Sequence, residues 1–524
     1  MARQQPHETV GVIVVHGIGE QRRFEHLDGE VRELVQALRA RPGAEVTVEI
    51  RSGRDGAFQA ASDTWNSGPE AAVRVVVREP DKKQPAGAER LTHIHFHEVW
   101  WADVNERFSL SKQIRFWFWG LSVWLVPPKP GSNRPGFGGM LLPTAPAMRL
   151  MPVRAFRRLQ LFCIGVFFAV GAASVGMITF LAERLLGLGM PDWQRVLVNY
   201  VSGVKLYSQQ HRLGGGFVPK GDDFLDTMGE PPRVSIRRRM IRAIADVALQ
   251  KEYDRWYILA HSLGTVVACN GLMEPAHAWP GYFEEEQWQT LSQAGLAGPA
   301  RPGFNMPPAG QVVPRRPVWL DGPYADDVAY RSRIFEKFRG ILTFGSPLEK
   351  FAAIWPAQVA MSSEPVFQPT TRWINVYDPI DPVSGVLEAY ADRLNRLPPS
   401  YMPAVCPVPE NVGYAACPVL LLAHIRYFTA DPSGNGLADK TVQWLLEDDA
   451  NPITTAHTTA GSKRWFQPLD PRHRRRRMGA LAWWTGAFLA ILALGAVVAP
   501  LTWRALHAAA SAGGSTAWQI ITGG

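Results

Sequence analysis

Ser262 lies in the stretch ILAHSLGTVVA, residues 258–268, where a single hydroxyl separates an apolar run from a glycine. A serine placed there can attack a carbonyl, or it can simply cap the helix that follows. The first use needs a base to take the hydroxyl proton and a third group to orient that base. The chain carries suitable partners further on. WINVYDPIDPVSG supplies Asp378 and Asp381 after an apolar run, and LLLAHIRYF supplies His424 with Tyr427 three places later. Each has an ordinary alternative, since Asp before Pro commonly forms an Asx turn and a histidine can sit on a surface without a role. Near the start, VVHGIG places Gly17 and Gly19 directly after a β-branched run. Glycine there lets backbone N–H groups approach a neighbour closely.

The elements that must hold these residues read as alternating strands and helices. VGVIVV has the continuous apolar character of a buried parallel strand, and residues 29–41 carry apolar side chains at helical spacing. Residues 45–50, 72–77 and 92–101 read as further strands. Residues 234–250 predict an amphipathic helix, 255–260 the strand before Ser262, and 263–273 the helix after it. Strands followed by turns are expected over 338–348 and 371–385. The Pro- and Gly-rich stretch 295–317 reads as a loop or lid insertion.

Three segments break this pattern. Residues 114–126 are apolar and Trp-rich but short for a membrane crossing, residues 159–182 carry no charge over 24 positions, and Met478–Trp503 gives 26 uncharged residues directly after RHRRRR. The last is the most secure membrane span, its basic flank favouring the cytoplasmic side. VVHGIG and AHSLG must share one sheet, so the chain between them crosses an even number of times. Either 114–126 also crosses, or 159–182 returns as a hairpin bent near Gly171 or Gly176. The organisation is then residues 1–110 and 191–470 as two parts of one α/β domain, 111–190 as a membrane-associated insert, and 471–524 as a basic flank with a C-terminal transmembrane helix.

Composition agrees with contact with lipid. Charged residues are 19% of the chain, and much of the net charge of +8 sits in Arg clusters beside the apolar segments. Those clusters lack the aromatic interleaving of a nucleic-acid binder, so no nucleic-acid partner is expected. Four cysteines without CxxC spacing suggest neither a disulfide framework nor a zinc site, and a reducing compartment fits them. The N-terminus has no secretory h-region. His93, His95 and His97 alternate along one strand face, a spacing that can hold a metal. With no further ligand cluster downstream, a half-exposed strand face is the reading, and no metal or cofactor is expected. The basic face of Arg237, Arg238, Arg239 and Arg242 is expected to be solvated or to face anionic headgroups.

Taken together, AHSLG, the acid loop DPVSG and the late His424 resemble the α/β-hydrolase superfamily, with Ala260 replacing the first Gly of its G-x-S-x-G elbow. The resemblance covers roughly residues 10–50 and 234–430. It implies an α/β fold whose sheet has helices on both faces, and a triad of Ser262, Asp381 and His424, with Asp378 as the alternative acid. It further implies an oxyanion hole from the N–H of Leu263 and that of Gly17 or Ile18. Ser346, in TFGSPL, is expected to cap a turn. The implied activity is hydrolysis of carboxylic esters, with acyl esters of membrane lipids the expected substrates and the bilayer the expected partner. An acyl transferase or thioesterase would use the same triad, and a catalytically silent scaffold binding partners at the membrane would keep the fold alone.

Overall fold

The β-branched N-terminal run forms β1, His7–Val15, in which Val10 and Val12 to Val15 are completely buried. Burial on both faces is what a central parallel strand requires. A computed structural model describes residues 7–17, 24–50, 73–80, 89–101, 207, 232–300, 317–349, 351, 371–378, 381, 383–385, 387, 409–414, 420–429, 436–446, 500 and 504. After β1 come α1 (Glu25–Arg39), β2 (Glu45–Ile50), β3 (Val73–Pro80) and β4 (Glu89–Val99). Then follow α2 (Pro232–Leu249), β5 (Arg255–His261), α3 (Gly264–Leu272) and α4 (Glu285–Gln293). Next are the short strands β6 (Ala297–Pro299) and β7 (Asp327–Ala329), then α5 (Arg331–Ile334). The rest is β8 (Phe338–Phe344), β9 (Arg372–Tyr377), β10 (Glu410–Gly413), α6 (Leu420–Ile425) and α7 (Leu437–Leu446).

Eight strands form one sheet in the order β10-β9-β8-β5-β1-β4-β3-β2, and β6 pairs with β7 in a separate ribbon. Within the eight, only β3 runs against the others. The chain is therefore α/β with a mostly parallel sheet. One face of β1 (Val10, Val12, Val14) packs with α1 and α7, while α2 and α3 cover the other face. From β1 the chain goes out to the β2 edge, returns beside β1 as β4, and continues on the opposite side through β5. Such a reversal leaves a crevice at the carboxyl ends of the strands flanking it, the usual ligand position in open α/β sheets. Register aligns those ends. Val15 pairs with Ala260, His261 with Phe344, and Phe344 with Val376, so the residues after β1, β5, β8 and β9 emerge at one edge.

The chain divides into two compact units, residues 1–105 with 206–470 and residues 106–205 with 471–524. Segments 114–126 and 159–182, and all of 478–503 except Pro500, lie outside the described residues. Among the described residues no helix is long and apolar enough to cross a membrane.

Two expectations about charge need correction. Arg237 and Arg238 are buried, with Arg237 Nη1 donating to Glu274 Oε2 at 2.9 Å and to the Tyr282 hydroxyl at 3.3 Å. Arg239 donates to the Trp100 carbonyl and Arg242 to that of Tyr282. A guanidinium tolerates burial when its fork of donors finds a carboxylate and further acceptors, as that of Arg237 does, while Arg239 and Arg242 stay partly exposed. The strand face of His93, His95 and His97 is also more closed than expected. His93 stays partly exposed, but His95 and His97 are buried beneath Tyr253, whose hydroxyl lies 2.7 Å from His97 Nε2. Burial lowers His97 to a pKa of about 3, so it is a neutral core imidazole. The loop stretch 295–317 in fact contains β6, while residues 301–316 lie outside the described residues.

Candidate active site

β5 ends in a bend that holds Ser262 at φ 51°, a left-handed conformation unusual for a residue with a side chain. Hydrogen bonds on both sides fix the bend. Ser262 N–H donates to the Phe344 carbonyl at 3.0 Å, and the Ser262 carbonyl accepts from Thr265 N–H at 3.0 Å and from Thr265 Oγ1 at 2.7 Å. The helix that follows has no side-chain cap. Ser262 Oγ instead meets His424 Nε2 at 2.8 Å. Gly264 completes the bend, because a Cβ there would lie 2.5 Å from the Val15 carbonyl and collide with that of His16 as well. Ala260 is fully buried in the strand, where the extra methyl is accommodated.

His424 lies near the end of α6, and its Nδ1 meets Asp381 Oδ2 at 2.8 Å. A carboxylate only accepts, so Nδ1 carries the proton and the Nε2 lone pair faces the serine hydroxyl. Asp381 forms an Asx-type turn and also meets the imidazole. Its Oδ1 accepts Val383 N–H at 2.8 Å in an Asx-type turn, leaving Oδ2 for the imidazole. Burial pushes this carboxyl up, but the charge and hydrogen bond of His424, with Val383 and Tyr427, hold it below the ordinary carboxylate range. Asp378 contributes its backbone, its N–H donating to the Tyr427 hydroxyl at 2.7 Å and its carbonyl accepting Asp381 N–H at 2.9 Å.

Gly17 faces the elbow from β1. A Cβ at this position would stand 2.7 Å from Ser262 Cβ and 3.3 Å from the His261 carbonyl, so only glycine lets the two turns approach this closely. Leu263, buried just after Ser262, heads α3. Ile18 lies outside the described residues. The turn is held by His16, whose Nδ1 donates to the Gly17 carbonyl at 2.6 Å while its Nε2 accepts Trp101 N–H at 3.0 Å. The Trp101 ring stacks on the imidazole at 5.1 Å. Burial, with the nearby His26, lowers His16 to a pKa of about 3, which keeps Nε2 available as an acceptor.

Sequence reasoning gave no part to His261. Its Nε2 donates to the His424 carbonyl at 2.9 Å, tying the bend at Ser262 to the helix that carries His424. Its ring stacks on Phe344 at 5.0 Å and on His26 at 5.7 Å. Burial first, then the neighbouring imidazoles of His424 and His26, depress it well below the ordinary histidine value. No spacing rule marks this residue, since its role depends on a carbonyl distant in sequence. Ser346 Oγ accepts Leu348 N–H at 3.2 Å and meets Thr265 Oγ1 at 2.8 Å, a turn-forming role.

Among the described residues no group of three or more His, Cys, Asp or Glu could hold a metal ion. What the arrangement can do is move a proton from the Ser262 hydroxyl to an imidazole whose other nitrogen is held by a charged carboxylate. No protein-family profile, curated protein or solved structure matches the chain.

Proposed function

We propose that this chain is a serine hydrolase of the α/β-hydrolase type, cleaving carboxylic esters through an acyl-enzyme on Ser262. The observation that carries the reading is the continuous relay Asp381–His424–Ser262, with both links at 2.8 Å and the serine on a left-handed bend at the carboxyl edge of a mostly parallel sheet. His424 Nε2 takes the hydroxyl proton as Oγ attacks the ester carbonyl, and Asp381 balances the resulting imidazolium. Negative charge on the carbonyl oxygen is met by the N–H of Leu263 and one from the turn at Gly17, the oxyanion donors this fold type supplies. The imidazolium then returns its proton to the departing alkoxide. Water, deprotonated by the same nitrogen, releases the acid and restores Ser262.

The substrate class is an acyl ester of a membrane lipid, with the catalytic domain on the cytoplasmic face. This rests on the apolar segments 114–126, 159–182 and 478–503 and their basic flanks. The test is labelling of the detergent-solubilised full chain with a fluorophosphonate, followed by assay of fatty-acid release from phospholipid and glyceride micelles. Labelling that disappears in Ser262→Ala, with release of fatty acid, is the expected result. A well-folded chain that takes no label would be a silent scaffold, and the reading would be abandoned.

A further inference from the structure

The triad accounts for three side chains, yet a fourth is bound into it. Tyr427 is buried three residues after His424, and its hydroxyl donates to Asp381 Oδ2 at 2.8 Å. The same oxygen accepts Asp378 N–H at 2.7 Å and lies 2.9 Å from Ser384 Oγ. Tyrosine has one hydroxyl proton to give. Ser384 Oγ donates to the Asp378 carbonyl at 3.2 Å, whereas Asp381 is an ionised acceptor, so the phenolic proton belongs on the carboxylate in a charge-assisted bond. Burial, and then the charge of Asp381, push the Tyr427 phenol well above the ordinary tyrosine value, which keeps it a donor. The ring lies beside the stacked His261–Phe344 pair, with centroids at 6.4 and 6.3 Å.

We propose that Tyr427 is a positioning residue for the proposed reaction, its hydroxyl fixing the Asp381 carboxylate in the orientation that holds the His424 imidazole. Asp381 accepts three bonds: Val383 N–H on Oδ1, and His424 Nδ1–H and Tyr427 O–H on Oδ2. The Val383 bond alone leaves the carboxylate free to turn about it. The Tyr427 bond removes that freedom, and it comes from the segment that carries the base. Acid loop and imidazole are thereby held as one unit, with the end of β9 attached through Asp378 N–H.

The inference rests on the serine-hydrolase reading, so the test separates the two. Hydrolysis of p-nitrophenyl butyrate by the full chain is followed from pH 5 to 9 in wild type, Y427F, D381N and D381N/Y427F, with a thermal melt of each. A hydrogen bond to a charged group corresponds to a loss of roughly tenfold or more in kcat for Y427F, with KM held within about twofold. The loss should vanish in the D381N background, because Tyr427 acts only through that carboxylate. An equal loss in both backgrounds, no loss in wild type, or a Y427F chain without a melting transition would overturn the role assigned to Tyr427. D381N turnover equal to wild type would remove Asp381 as the acid, and the Tyr427 assignment with it, whereas a folded wild-type chain that gives no turnover above buffer would overturn the serine-hydrolase reading itself.

Discussion

Replacing Gly17 by alanine should disable the site while leaving the domain folded. The added Cβ would stand 2.7 Å from Ser262 Cβ, and ordinary carbon contact begins near 3.5 Å, so one side must move by roughly 0.8 Å. Ser262 has little freedom to yield, since its N–H is held by Phe344 and its carbonyl by Thr265. The turn at Gly17 is itself clamped by His16 and Trp101. The displacement therefore falls between the proposed nucleophile and the proposed oxyanion donors. A misplacement of about 1 Å costs on the order of 10²-fold in rate, and we expect that loss in kcat with KM changed by less than about threefold. The assay is p-nitrophenyl butyrate turnover alongside a thermal melt. Gly29→Ala serves as control, because nothing lies within 4 Å of the Cβ it would add. A folded Gly17→Ala chain with activity within about threefold of wild type would refute the argument.

Two more outcomes distinguish roles the sequence left open. Asp381→Asn should lower kcat by about 10⁴-fold, the scale set by loss of the orienting carboxylate in a serine protease triad, whereas Asp378→Asn should cost less than about tenfold because its bond to Tyr427 is made by the backbone. The reverse order in a p-nitrophenyl ester assay would reassign the acid. His16 and His97 both have folded pKa values of about 3, below the unfolded value of 6.5. The unfolded chain therefore binds more protons between these limits. Stability held above pH 6.5 is lost as pH falls toward 3, at roughly 1.4 kcal/mol per pH unit for each histidine. Urea unfolding between pH 4 and 6 should show a dependence shallower by about that amount in His97→Gln, and an unchanged slope would contradict the assigned burial.

Much of the sheet was legible because its strands are uniform. The run at Val12–Val15 announces itself through β-branching, the strand at 372–377 through two β-branched and two aromatic residues, and 45–50 was read to its last residue. Ser262, Asp381 and His424 were legible as types in chain order, each beside a local signal: an elbow, a DP turn, an apolar approach. What could not be read was whatever depends on partners distant in sequence. Arg237 looks like a solvated cation until Glu274 and Tyr282 are folded against it, and His95 and His97 look half-exposed until Tyr253 covers them. His261 was passed over for the same reason, because its partner is a backbone carbonyl 163 residues away. Tyr427 was visible only as part of an H-x-x-Y pattern. Its contact with the acid needed the β9 loop and α6 to be brought together.

Acylation of Ser262 is the step on which the proposed hydrolase reading stands. Rapid mixing of the full chain with p-nitrophenyl butyrate, quenched in acid and digested for peptide mass analysis, tests it directly. A burst of p-nitrophenolate approaching one equivalent per chain and a butyryl group on the peptide containing Ser262 are expected, both absent in Ser262→Ala. Turnover without a burst or acyl peptide, or a burst that persists in Ser262→Ala, would contradict it.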